Sequence, residues 1–83
     1  MNNYKRLEAF VNPQTNNSEQ YSRNVRSAIR DLIASSELSG RSNLVLQGLL
    51  YSIRRTDIPA VNAEKLQIGL SAIETLTNDE RLF

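Results

Sequence analysis

Three arginines spaced i, i+3, i+7 (Arg23, Arg26 and Arg30) are the residues of this chain whose type and spacing best suit a chemical task. On a helix that spacing gathers them onto one narrow face. A guanidinium is always charged and offers a planar fork of donors that matches paired oxygens. The stripe therefore has three readings: a solvated helix face, a docking surface for an acidic protein, or a grip on phosphates. Catalysis lacks the tools. Histidine and cysteine are both absent, which removes the commonest general base, the commonest metal ligand, thiolate metal sites and disulfides. Glu64 and Glu74 stand ten residues apart on one predicted helix, about 15 Å at the usual rise, too far for shared acid–base work. Neither a phosphate loop nor a dinucleotide-binding glycine motif is present. The expectation is a chain that is not an enzyme and needs neither cofactor nor metal.

Charge limits the phosphate reading. Ten Lys/Arg stand against nine Asp/Glu, a net charge of +1, whereas nucleic-acid domains usually carry a dominant basic footprint. The charge is uneven. Residues 1–55 hold eight Lys/Arg and four Asp/Glu, and residues 56–83 hold two and five. A helix-turn-helix around Ile33–Leu46 would put NLVLQGLLY at the start of its second helix. That is too apolar to read base edges in a major groove.

The elements that must position the arginines are helical. Asn17 or Ser18 can cap a helix in which Tyr21, Val25, Ala28, Ile29, Leu32 and Ile33 recur at helical spacing, opposite the arginines. Ala34–Gly40 is turn material. A central helix follows, capped by Ser39 or Ser42 and running to about Arg55, where two arginines suit the helix dipole. Val45, Leu46, Leu49, Leu50 and Ile53 share one arc, while Leu44 and Tyr51 lie on the other side with Gly48 near them. Such a two-sided helix needs cover twice. Leu44 and Tyr51 are either covered by Leu7 and Phe10 of the N-terminal arm or form a dimer interface with Gly48, where a second backbone could approach closely. Pro59 suits the first turn of a last helix, with Ala63, Leu66, Leu70, Ile73 and Leu76 on one face and Ile68 turned away. Gly69 costs that helix about 1 kcal/mol relative to alanine, which implies close packing. Asn78 ends the pattern, and 79–83 is a short tail.

These elements define an all-α fold: a small three-helix bundle of antiparallel helices near 18–36, 42–55 and 60–77. The domain is 18–83, and 1–17 is a flexible or partly helical N-terminal arm in which Leu7, Phe10 and Val11 could dock and Pro13 ends any helix. A chain of 83 residues is marginal alone, and without disulfides or metals oligomerisation is the remaining aid. No signal-peptide pattern or apolar run of about 20 residues is present, so a cytoplasmic protein without a membrane partner is expected.

The pattern Val25-x-x-Ala28-Ile29-x-x-Leu32, then Asn43-x-Val45-Leu46-x-x-Leu49-Leu50-x-Ser52-Ile53, then Ala63, Leu66, Leu70, Thr77 and Asp79, resembles the YmgB/AriR group of small enteric bacterial regulators. The resemblance covers about residues 22–80 and rests mostly on core positions. It implies an all-helical dimer without enzymatic activity, a connector acting on a two-component phosphorelay, linked to biofilm and acid-resistance control. A DNA-binding role is also implied as possible for the group. The expected function is thus a cytoplasmic regulator that binds another regulatory protein, such as a response regulator, through Arg23, Arg26 and Arg30. The alternatives are a DNA-binding or nucleoid-associated accessory protein and a small phage or plasmid inhibitor of a host protein.

Overall fold

The computed structural model describes residues 2–81, with side chains described through Asn78. Four α-helices follow one another: α1 (Asn2–Glu8), α2 (Ser18–Ser35), α3 (Gly40–Ser52) and α4 (Pro59–Arg81), with a short 3₁₀ turn at Ala9–Val11 after α1. The architecture is all-α. It differs from the expected three-helix bundle by one helix, because the N-terminal segment folds and enters the core. Leu7 is fully buried and Tyr4 nearly so.

Local chemistry explains the boundaries. The Asn17 side chain accepts from the Gln20 amide and starts α2, and the Ser39 side chain accepts from the Ser42 amide and starts α3. Helix α2 stops where Ser36 takes a left-handed conformation, φ 59°. The positive φ falls on this serine rather than on Gly40, which is the first residue of α3. Helix α4 opens on Pro59, where the missing amide costs nothing. It runs past Asn78 to Arg81, and Leu82 and Phe83 of the expected tail lie outside the described residues.

The core is one cluster drawn from all four helices. Tyr21, Val25, Ala28, Ile29 and Leu32 of α2 meet Leu46 and Leu49 of α3, the adjoining Ile53, and Ala63, Leu66, Leu70 and Ile73 of α4. Phe10, Val11, Ile33, Val45 and Leu50 pack on its rim. Gly69 has the close neighbour that its place in a helix requires. A Cβ there would lie 3.0 Å from a methyl of Leu49, so α3 and α4 approach closely at this point. The N-terminal segment is fastened at three places, one of them the Arg6–Asp31 ion pair at 2.6 Å. The Tyr21 hydroxyl donates to the Phe10 carbonyl, with the two rings edge to face. The Glu37 carboxylate accepts from the Asn3 and Tyr4 amides and from the Asn3 side chain, satisfying free donors of α1.

Candidate functional site

The end of α3 is the element on which the site is built. A helix leaves its last carbonyls without intrahelical donors. If α3 continued, the Arg54 amide would donate to the Leu50 carbonyl. Instead Arg26 reaches across from α2 and its Nη1 donates to the carbonyls of Leu50 and Ile53. The Arg54 amide turns to the Asn62 side chain, 3.3 Å away, and Asn62 Nδ2 donates to the Arg54 carbonyl at 2.7 Å. From α4, Lys65 Nζ donates to the Ser52 carbonyl at 2.7 Å and to Asp57 at 3.0 Å. Two cations and one fully buried asparagine thus close α3 at Ser52, three residues before the expected end at Arg55. Cations at a helix C-terminus also meet its negative dipole end favourably.

This arrangement corrects the arginine stripe. Arg26 does not stand on a free face with its neighbours; it is half-buried and committed to α3. The physical reason is the pair of carbonyls that α3 leaves within reach. Arg23 and Arg30 remain exposed. Arg23 pairs with Glu19 one turn away, 3.2 Å, while Arg30 makes no hydrogen bond or ion pair among the described residues.

Arg54 and Arg55 leave the end of α3 on the same side. Together with Arg23, Arg26 and Arg30 they line an open groove of about 460 Å³ between α2 and the α3–α4 connection. Five of the ten basic residues of the chain meet there, opposed by Glu19 alone. The spacing of the α2 arginines predicts half of this groove. The sequence places Arg54 and Arg55 at the negative end of the helix dipole, and their place in the groove depends on where α3 stops. Asn62, which holds the Arg54 backbone, has a visible signal: it is a polar residue on the apolar ladder of Leu66, Leu70 and Ile73.

The second set of residues, Leu44, Gly48 and Tyr51, divides. Leu44 is 67% exposed and Tyr51 91%, so neither is covered by Leu7 or Phe10, which pack on the core. Gly48 has open space where a side chain would stand. It lines an apolar hollow of about 310 Å³ between α3 and α4, with Val45, Ile68, Gly69 and Ala72. Tyr51 lies elsewhere, on a hollow of about 360 Å³ shared with Leu50 and Arg26.

Chemically, the arginines of the groove can hold oxyanions. Among the described residues no cluster of carboxylates is suited to a metal ion, and no helix is long and apolar enough to cross a membrane. Comparison of the chain with family models, with curated proteins and with solved structures returns no match.

Proposed function

We propose that this protein is a non-catalytic regulator that acts by binding another protein, and that the arginine groove is its contact surface. The observation that carries the reading is the gathering of five arginines against one carboxylate in a groove whose backbone is fixed by Arg26, Asn62 and Lys65. A backbone already held in place leaves less to order on binding than a mobile loop would. The partner is an acidic protein surface. The resemblance to the YmgB/AriR group supports a connector role in which that surface belongs to a response regulator or a similar component of a phosphorelay.

An acidic protein is favoured over DNA because the basic residues do not form a continuous track. Arg6 pairs with Asp31 and Lys65 with Asp57, and residues 56–83 are acidic on balance. The proposal includes a homodimer, supported by the exposure of Leu44 and by the exposed Ile68 lining the open hollow at Gly48. Symmetric closure is the common solution for a small chain with such a face.

Affinity capture with wild type and with R54E/R55E tests the reading. Both arginine side chains are exposed, so the variant keeps its circular dichroism spectrum. The expected result is loss of an acidic partner that wild type retains. Equal capture by the two proteins would contradict it. DNA retained with a steep salt dependence would favour the nucleic-acid alternative instead.

A further inference from the structure

Arg26 lines two hollows at once: the arginine groove on one side, and on the other the smaller hollow bounded by Leu50 and Tyr51. The two therefore adjoin across a side chain that cannot swing away, because its guanidinium is tied to the Leu50 and Ile53 carbonyls. Their chemistry differs. The groove carries Arg23, Arg30, Arg54 and Arg55 beside Arg26, whereas the smaller hollow offers the flank of Leu50 and a tyrosine that is 91% exposed. An aromatic ring left so exposed has a large apolar surface still to bury, and tyrosine is a frequent anchor at interfaces.

We propose that this composite surface binds a short acidic peptide segment that carries a large apolar side chain next to its carboxylates. The carboxylates seat on the arginines, and the apolar side chain crosses Arg26 to lie against Leu50 and Tyr51. This deepens the reading of the groove as a protein contact and rests on it. Charge complementarity selects the acidic segment, and the adjoining hollow selects its apolar residue. A single-stranded nucleic acid would also bring negative charge and rings to stack on Tyr51. Glu19 inside the groove and the acidic balance of residues 56–83 disfavour such a polyanion.

Fluorescence anisotropy with three labelled probes tests the proposal. One is a glutamate-rich decapeptide with a central leucine, the second has serine at that position, and the third is a single-stranded oligonucleotide of similar length. Wild type should bind the leucine peptide about tenfold more tightly than the serine peptide, a difference of the size expected for one buried apolar side chain. Y51S should remove that preference, and R54E/R55E should abolish binding of both peptides. Equal binding of both peptides, with or without Tyr51, would overturn the apolar anchor while leaving the groove as an acidic contact. Failure of both peptides to bind would overturn the groove reading as well. Tightest binding of the oligonucleotide, lost in Y51S, would replace the peptide with a nucleic acid.

Discussion

The arginine groove and the apolar hollow between α3 and α4 flank the same helix and are built in opposite ways. The hollow is a gap between two helix faces. Gly48, Ile68 and Ala72 line it, and the Gly48 position has open space within the fold. The groove is wired into the fold. Arg26 caps α3, and Asn62 holds the backbone of Arg54, so removing either disturbs the scaffold together with the surface. The difference teaches that a substitution can separate folding from binding only where the side chain does no structural task. Arg54, Arg55, Leu44 and Ile68 are such positions; Arg26 is not.

The largest effect is expected at Arg26. R26A removes hydrogen bonds from a charged donor to two carbonyls, which are worth about 1.5–3 kcal/mol. A domain of this size should lose roughly 10 °C in melting temperature, measured by calorimetry or circular dichroism. A melting temperature equal to that of wild type would show that Arg26 is a free surface cation after all.

Next comes Asn62. N62A strips two hydrogen bonds from a fully buried site and leaves the Arg54 amide without its partner, at about 1–3 kcal/mol. The sharper readout is local. Hydrogen exchange at the Arg54 amide should accelerate well beyond the change at Leu46 or Leu66. Uniform acceleration would mean that Asn62 only fills space.

Acid should loosen α1 at its Glu37 clasp. Burial pushes the Glu37 carboxyl up, but the hydrogen bonds from the Asn3 and Tyr4 amides and from the Asn3 side chain outweigh it and hold the group below its ordinary value. A depressed folded-state pKa gives stability that is present above the ordinary glutamate value, about 4.3. That contribution is lost as pH falls through the folded value, because the unfolded chain binds the proton first. Amide exchange at Asn3 and Tyr4, corrected for its intrinsic pH dependence, should therefore lose protection on acidification in wild type. E37Q should begin with less protection and change less.

The smallest effect on folding belongs to the hollow. L44S/I68S alters two exposed side chains and should shift stability by less than about 0.5 kcal/mol. It should nevertheless convert a dimer to a monomer in light scattering. A wild type that is already monomeric at micromolar concentration would contradict the homodimer.

How much of this was legible in the sequence follows from the kind of interaction involved. The apolar ladders of α2, α3 and α4 repeat at the helical period, and Asn17, Ser39 and Pro59 carry local capping chemistry, so those helices could be read directly. The same holds for Ile68, which falls off the apolar arc and is exposed, whereas for Leu44 and Tyr51 the sequence leaves cover by Leu7 and Phe10 open, because it does not say where the N-terminal segment docks. The N-terminal segment was read only as an arm because its burial depends on Tyr21 and Glu37, contacts across 11 and more than 30 residues. The end of α3 falls short of the expected Arg55 because it is decided by Arg26, Asn62 and Lys65 from other helices. The groove inherits that difficulty: Arg54 and Arg55 join Arg23 and Arg30 only once α3 stops at Ser52.

The central claim is that the arginine groove, rather than the apolar hollow, is the contact surface for a partner. Titrating isotope-labelled protein with the leucine-bearing acidic peptide, and following both arginine side-chain and backbone NMR signals, tests it most directly. The account predicts the largest shifts at Arg23, Arg30, Arg54, Arg55 and Tyr51, with Gly48, Ile68 and Ala72 unmoved. Shifts concentrated at Gly48, Ile68 and Ala72 with silent arginines would contradict it.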